Sequence, residues 1–181
     1  MTEINMIVGH KGAGKTTVLE IINTFGFYTT ELSIQWKYLE LLGFDREEKE
    51  GKWSTGVVSL VYDNLLSRIS MNPIFMSGFS RPAEINFLQK KEFDCRIIEV
   101  TADLALRYQR TIKRGRGLED QLSIEEFYKK DLRRLGQTEG YRTNDLNGLL
   151  SLAFYTIKNN GNLKRLTREV KKMLETMEYL R

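Results

Sequence analysis

A phosphate-binding motif near the start of the chain constrains its fold more than any other feature. Residues 9–16 read Gly-His-Lys-Gly-Ala-Gly-Lys-Thr and match the pattern G-x-x-x-x-G-K-[ST] at every fixed position. The apolar run Ile4–Val8 precedes the motif, and a helical pattern begins at Thr16. In such a strand–loop–helix unit, glycines let backbone N–H groups converge on phosphate oxygens at the positive end of a helix. The motif therefore predicts a nucleoside triphosphate site, and a chance Gly-rich turn is the alternative.

The residue types in the motif predict individual roles. The Lys15 ammonium should reach the β- and γ-phosphates, and the Thr16 hydroxyl should bind Mg²⁺. His10 stands at a variable position of the pattern, so we assign it no catalytic role. The predicted nucleotide contacts are Gly9, Lys11, Gly12, Ala13, Gly14, Lys15, Thr16 and Thr17.

Length and composition favour one globular domain. The 181 residues fit a single domain, and a hydrophobic fraction of 41% argues against disorder. One cysteine excludes an internal disulfide, and together with one histidine it leaves little room for a transition-metal site. No apolar stretch reaches the ~18 residues that a membrane span needs, and residues 1–5 lack the basic character of a signal peptide. We therefore expect a cytoplasmic protein without a membrane partner, either a monomer or a homodimer.

Short apolar runs alternate with longer helical patterns along the chain. This order predicts an α/β protein with a parallel sheet that helices cover on both faces. Ser123 and Glu126 form the Ser-x-x-Glu pattern of a helix N-terminus. The predicted strands are Ile4–Val8, Phe27–Thr30, Ile74–Met76, Arg96–Val100 and Ala153–Ile157. The predicted helices are residues 16–26, Leu32–Leu42, Val57–Ile69, Pro82–Lys91, Ala102–Lys113, Ser123–Leu135 and Asn162–Tyr179.

Four segments resemble the nucleoside monophosphate kinase-like branch of P-loop proteins, which includes adenylate kinase, deoxynucleotide kinases and dephospho-CoA kinase. They are residues 9–16, Phe75–Arg81, Arg107–Arg116 and Ile157–Leu163, in an order and spacing similar to the family's. The resemblance extends over nearly the whole chain. It implies a three-layer P-loop NTPase fold, with a five-stranded parallel sheet, helices on both faces and a small helical lid.

The resemblance also implies how the chain is divided. Residues 1–181 would form a single P-loop kinase domain. Its lid would lie at about residues 114–135 and its acceptor-binding region at about residues 30–70. The turn after the last strand would contact adenine.

Catalytic roles follow from the same resemblance. The segment Phe75–Arg81 looks like the Asp-Gly-Phe-Pro-Arg segment of adenylate kinases, in which the arginine holds the acceptor phosphate, and this role falls on Arg81. Arg110, Arg114 and Arg116 fall in the segment that resembles the lid, where arginines clamp the transferring phosphoryl group. Together with Lys15, these four arginines are the predicted catalytic residues.

The charge distribution supports a basic lid independently. The chain has a net charge of +4, and residues 105–134 carry nine Lys and Arg against five acids, which is also +4. Arginine suits this position because its planar guanidinium matches phosphate oxygens. A solvated basic helix is the alternative for any single arginine. We interpret the excess charge as a local site for phosphates and expect no nucleic-acid partner.

The sequence departs from the family on the acceptor side. Ser77 stands where adenylate kinases have an aspartate that orients Mg²⁺ through water, so the metal would depend on Thr16, phosphates and water. Glu31 follows the second predicted strand, where related kinases carry an acid. It is a candidate base or metal-shell residue, and a surface glutamate at a helix start is the alternative. Trp36 is either a core residue or a stacking platform.

We therefore predict an ATP-dependent small-molecule kinase that uses Mg²⁺ and transfers the γ-phosphoryl group to a (deoxy)nucleoside monophosphate. A phosphorylated acceptor needs no general base, because positioning and charge neutralisation dominate phosphoryl transfer. No aspartate stands out in the acceptor-binding region. Transfer to an alcohol, as in dephospho-CoA kinase, and a non-kinase P-loop NTPase or regulatory nucleotide-binding protein are the alternatives.

Overall fold

A computed structural model of the protein describes residues 2–34, 73–115, 121–135 and 145–180. These residues alternate between strands and helices along the chain. The strands are β1 (Glu3–Val8), β2 (Tyr28–Glu31), β3 (Ile74–Ser77), β4 (Asp94–Thr101) and β5 (Tyr155–Lys158). The helices are α1 (Lys15–Thr24), α2 (Pro82–Lys90), α3 (Leu104–Arg114), α4 (Ile124–Arg134), α5 (Leu146–Leu150) and α6 (Leu163–Thr176).

The five strands form one sheet in the order β2-β3-β1-β4-β5, and every neighbouring pair is parallel. Ile4 on β1 lies opposite Ile74 on β3 and Cys95 on β4, so β1 occupies the centre. The predicted α/β fold with a five-stranded parallel sheet is confirmed. Because the strands are parallel, the loops that follow all five strands lie at the same edge of the sheet. Beside β1, successive connections run in opposite directions across the sheet.

Alternate residues of each strand serve two separate cores. Because side chains of a strand point to opposite faces in turn, Met6 packs on one face of the sheet and Ile7 on the other. The first core includes Ile4, Met6, Val8, Ile74, Met76, Ile97 and residues of α2 and α5. The second includes Ile7, Phe75, Ile98, Val100, Ile157 and residues of α1 and α6. Both faces of the sheet are therefore covered, as the apolar runs of the sequence predict.

The observed elements differ from the predicted ones in a few places. The capping box is confirmed, since Ser123 Oγ accepts from the Glu126 N–H at 3.2 Å and Glu126 Oε2 accepts from the Ser123 N–H at 2.8 Å. Helix α5 was not predicted, because five residues are too short to show a helical period. β5 begins and ends later than predicted. Leu163, the first residue of α6, is 62% exposed.

Several predicted features lie outside the described residues. They include the predicted helix Val57–Ile69, the predicted helix Leu32–Leu42 beyond residue 34, most of the acceptor-binding region and Arg116. Among the described helices, none is both long enough and apolar enough to cross a membrane.

Candidate active site

The loop of residues 9–14, which joins β1 to α1, can form only with glycine at its key positions. Gly12 and Gly14 have φ angles of 78° and 101°, in the left-handed region that favours glycine. A Cβ atom on Gly12 would overlap the Arg107 carbonyl oxygen, and one on Gly14 would overlap the Asn159 side-chain amide. The loop is therefore pressed against α3 and against the turn after β5. The first N–H groups of a helix have no partner within the helix, so the start of α1 at this loop suits an anion.

Lys15 at the start of α1 is turned back onto the loop. Its Nζ donates to the carbonyl oxygens of Gly9 at 2.7 Å and His10 at 2.9 Å. Burial and the nearby Arg134 guanidinium lower the pKa of Lys15 to about 8. The carboxylates of Glu31 and Asp131 act in the opposite direction and favour the charged form. The ammonium is thus held by backbone oxygens, and phosphate oxygens would add further counter-charge.

Thr16 and Glu31 bring two oxygen donors together beside the loop. Thr16 Oγ1 donates to Glu31 Oε1 at 2.6 Å, and Ser33 Oγ donates to Glu31 Oε2 at 3.3 Å. Glu31 is the last residue of β2, next to the end of β3 at Ser77. Hydroxyl and carboxylate oxygens are the ligands that Mg²⁺ prefers, so the residues present fit this metal.

A cavity of about 820 Å³ opens at the edge where the strands end. It unites the phosphate loop with the ends of β2 and β3 on one side and with α3 and α4 on the other. The described residues that line it are Gly9, Lys11, Gly12, Gly14, Lys15, Thr16, Thr17, Glu20, Glu31, Ser77, Gly78, Phe79, Ser80, Arg110, Thr111, Lys113, Arg114, Arg134 and Leu146.

Most of the predicted site residues that the structure describes lie on this cavity. Seven of the eight predicted nucleotide contacts line it, and so do Arg110 and Arg114. Ala13 is buried behind the loop instead, where its carbonyl oxygen accepts from Asn159. Arg81 is not among the described residues that line the cavity. It is half-buried at the start of α2 and directly follows Ser80, which does line the cavity.

Arg110 is anchored on one side only. Its Nη2 donates to the Asn159 carbonyl oxygen at 2.9 Å, and Asn159 Nδ2 in turn donates to the Ala13 carbonyl oxygen at 2.8 Å. The Nη1 atom of Arg110 is buried and makes no hydrogen bond within the structure described. One half of the guanidinium is therefore fixed to the turn after β5, and the other half retains donors for a ligand.

A buried ionic cluster lies behind the phosphate loop. Arg107 Nη1 donates to Asp131 Oδ2 at 2.7 Å, and His10 Nδ1 lies 3.0 Å from Asp131 Oδ1. Arg107 Nε also donates to the Ala102 carbonyl oxygen at 3.0 Å. Burial raises the pKa of the Asp131 carboxyl, but His10 and Arg107 together outweigh it, and the net pKa is lowered. Asp131 is therefore an anion that joins the phosphate loop, α3 and α4.

A buried carboxylate shapes the loop after β3. Glu84 on α2 is 3% exposed, and its Oε2 accepts from the N–H groups of Ser80 at 2.7 Å and Arg81 at 2.9 Å. Burial raises the pKa of Glu84 above its ordinary value. The same loop contains Gly78 with a φ of 107°. Glu84 thus fixes the backbone that presents Ser77–Ser80 to the cavity.

Sequence reasoning missed several residues of this site. Arg134 and Lys113 were recognised only as members of a basic segment, and Glu20, Thr111 and Leu146 were not singled out. Asn159 was placed in an adenine-contacting turn, but its hydrogen bond to the phosphate loop was not predicted. One of these residues could have been predicted from the sequence. Glu20 lies one helical turn after Thr16, so the two side chains lie on the same face of α1.

No protein-family model and no curated protein sequence matches the chain. Solved structures do match over nearly its full length. Shikimate kinase from Acinetobacter baumannii, in complex with shikimate, is 20% identical with a TM-score of 0.63 and aligns over 99% of this chain and 94% of its own. Shikimate kinase from Bacteroides thetaiotaomicron is 14% identical with a TM-score of 0.65, and 98% of each chain is covered.

A gluconokinase from Sinorhizobium meliloti 1021 is 14% identical with a TM-score of 0.58, covering 98% of this chain and 96% of its own. At such identities the likeness concerns the fold. It does not show that the chain belongs to the branch of adenylate, deoxynucleotide and dephospho-CoA kinases, which the sequence resembles. The chain has the P-loop fold that these small-molecule kinases share, with its phosphate loop between β1 and α1.

Proposed function

We propose that this protein is an ATP-dependent kinase of a small molecule. The observation that carries the proposal is the single cavity that unites a phosphate loop, three arginines of α3 and α4, and the ends of β2 and β3. Phosphoryl transfer requires a triphosphate and an acceptor in line, with cations around the transferring group. The cavity supplies a place for each of these on the same edge of the sheet.

The phosphate side would bind ATP through the backbone of residues 9–14 and the start of α1. Lys15 would leave the Gly9 and His10 carbonyl oxygens and bind the β- and γ-phosphates. Arg110 would use its remaining donors next to the turn after β5, and Arg114 and Arg134 would neutralise charge on the opposite wall. Together these groups orient the triphosphate and exclude water, which would otherwise accept the phosphoryl group.

Thr16 and Glu31 would hold Mg²⁺, with Thr16 Oγ1 as a ligand and Glu31 as a ligand or as the acceptor for a metal-bound water. When bound, the metal would neutralise phosphate charge during the transfer. Without it, Thr16 is oriented by Glu31 at 2.6 Å. Ser77 offers a hydroxyl at the neighbouring strand end in place of an acid.

For the acceptor, the geometry supports a hydroxyl group best. Glu31 lies in the cavity at the end of β2, where its carboxylate can accept the proton of an acceptor O–H. The acceptor oxygen would then bond to the γ-phosphorus while the bond to the leaving ADP oxygen breaks. The named neighbours act on shikimate or gluconate, which are not nucleotides, and this agrees with a small acceptor that is not a nucleotide.

A (deoxy)nucleoside monophosphate, which the sequence predicts, is the second candidate. Arg81 favours it, because this half-buried cation follows Ser80 of the cavity wall directly and could hold a phosphate that enters beside α2. A phosphate acceptor arrives as an anion and needs no base. The two candidates therefore depend on different residues, Glu31 for a hydroxyl and Arg81 for a phosphate.

The experiment is a product assay with Mg·ATP and a panel of acceptors. The panel contains ribo- and deoxynucleoside monophosphates, dephospho-CoA, and small sugar acids and cyclic polyol acids. Acceptor-dependent ADP release, with a phosphorylated product seen by mass spectrometry, is the expected result. Lys15→Ala serves as the matched inactive control. ATP hydrolysis that only DNA or RNA stimulates would instead indicate a non-kinase NTPase and overturn the proposal.

A further inference from the structure

The Asp131 carboxylate lies on a helix of the predicted lid, but it is directed at the phosphate loop. Asp131 is 5% exposed on α4, and its two oxygens face different elements. Oδ1 lies 3.0 Å from His10 Nδ1 in the loop, and Oδ2 accepts from Arg107 of α3 at 2.7 Å. Arg107 Nη1 also reaches the Lys11 carbonyl oxygen at 3.5 Å. One buried anion thus connects α4 to the loop along two routes.

Arg134 follows Asp131 by one helical turn. Residues three apart on a helix share a face, so Arg134 also faces the loop, and it lines the same cavity as Lys15. The positive charge of Arg134 is one cause of the lowered pKa of Lys15, which indicates that the two cations are close. Any rotation or shift of α4 would change the separation of these two cations.

Other contacts between α3 and α4 do not involve the Asp131 carboxylate. The Phe127 ring is buried between Tyr108, with ring centroids 5.7 Å apart, and the Arg107 guanidinium at 5.9 Å. Tyr108 also donates its hydroxyl to the Leu122 carbonyl oxygen at 3.0 Å. These contacts dock α4 onto α3. They do not fix α4 to the loop, which is the contact that Asp131 provides.

We propose that Asp131 is a positioning residue for recognition of the terminal phosphate of ATP. By holding α4 to the phosphate loop through His10 and Arg107, it places the Arg134 guanidinium opposite Lys15, on the far side of the γ-phosphate. This inference rests on the proposed function, because it requires ATP in the cavity. It gives His10, at a variable position of the motif, a role as the loop's contact with α4.

The test compares two nucleotides that differ in the γ-phosphate. Calorimetry on the full chain gives the Kd of Mg·ADP and of Mg²⁺ with a non-hydrolysable imido analogue of ATP, and no acceptor is needed. Asp131→Asn should reduce the preference for the analogue over ADP by about tenfold, with the Kd of ADP changed by less than about threefold. The matched control is Glu125→Gln, which removes an exposed carboxylate from the same helix and should leave the preference unchanged.

A second variant and a double variant separate positioning from general stability. His10→Asn keeps the Arg107–Asp131 pair and should reduce the preference in the same direction by about threefold. Adding Asp131→Asn to Arg134→Ala should cause no further loss, because the positioned group is already absent. Equal weakening of both nucleotides by Asp131→Asn, or a full additional loss in the double variant, would overturn the inference. If the wild-type protein binds neither nucleotide, the proposed function itself is wrong, and this inference is overturned with it.

Discussion

The two sides of the cavity, which we propose bind the phosphates and the acceptor and call the phosphate side and the acceptor side, are built from different chemical groups. On the phosphate side, backbone groups of residues 9–14 form the surface, and buried side chains behind them hold it in place. Asn159 binds the Ala13 carbonyl oxygen, and Arg107 with Asp131 supports the loop from α3 and α4. On the acceptor side, side chains form the surface: Glu31 and Ser77–Ser80 stand at the ends of two strands.

This difference separates general from specific recognition. A backbone surface recognises the charge and shape of a triphosphate, and it changes little when neighbouring side chains change. A surface of side chains would select the acceptor, and substitutions there would alter which acceptor fits. Damage to the phosphate side should therefore abolish turnover of every acceptor, whereas damage to the acceptor side should discriminate between acceptors.

Lys15→Ala should have the largest effect and should be indifferent to the acceptor. Removal of a cation that faces the transferring phosphoryl group is expected to lower kcat/KM by about 10³-fold. Because burial already disfavours the Lys15 charge, the variant should unfold at a temperature no lower than the wild type. Steady-state kinetics and thermal unfolding check the two statements. Retained turnover with any one acceptor would contradict the expectation that damage to the phosphate side affects every acceptor.

Glu31→Gln should separate hydroxyl from phosphate acceptors. Loss of a general base is expected to lower kcat for a hydroxyl acceptor by about 10²-fold. The change for a phosphate acceptor should be small, because saturating Mg²⁺ compensates for the weakened metal contact of Glu31. The matched control is Glu20→Gln, which removes a carboxylate from α1 in the same cavity. Initial rates at saturating Mg²⁺ and ATP provide the measurement. Equal losses with both acceptor classes would leave Glu31 with its metal role only and would remove its proposed role toward the acceptor proton.

Arg81→Ala should have a smaller effect, confined to acceptors that carry a phosphate. A hydrogen bond to a charged group contributes about 1.5–3 kcal/mol, so the acceptor KM should rise at least about tenfold, with little change in kcat. Lys90→Ala, at the opposite end of α2, is the matched control because Lys90 is exposed. An unchanged KM for every phosphorylated acceptor would remove Arg81 from the acceptor site.

The fold was largely predictable because its signals are local. Strands of a parallel sheet are buried on both faces, so β1 and β3 appear in the sequence as mainly apolar runs, in which Asn5 and Ser77 are the buried polar exceptions. The Ser-x-x-Glu pattern of Ser123 and Glu126 predicts the start of α4, because these two residues form the capping interaction themselves. Helix α5 has too few residues for a period, and its start at Asp145 depends on a side chain that accepts from the Gly148 N–H. Such short elements are defined by contacts in the folded chain and have no hydrophobic period in the sequence.

The site was predictable on one side only, for the same physical reason. The phosphate loop is one continuous segment, so the position of Lys15 and Thr16 on the cavity could be predicted from spacing alone. Asn159 and Ala13 are 146 positions apart, and Arg107 and Asp131 are 24 apart, so their pairing depends on the folded chain. Arg134 was one of nine cations in a basic segment. The sequence identifies such a segment, but only the packing of α4 shows which cation faces the cavity.

The pH dependence of ATP binding provides the finest test of the phosphate side. The Lys15 pKa of about 8 means that the ammonium is charged below pH 8 in the free protein and loses its proton above it. Bound phosphates stabilise the charged form and raise this pKa. Affinity should therefore be constant below about pH 8 and fall up to about tenfold per unit above it, with proton uptake on binding. Calorimetry in buffers of different ionisation enthalpy measures this uptake. Lys15→Arg, whose guanidinium stays charged, should show a flat profile, and a flat profile in the wild type would contradict the prediction.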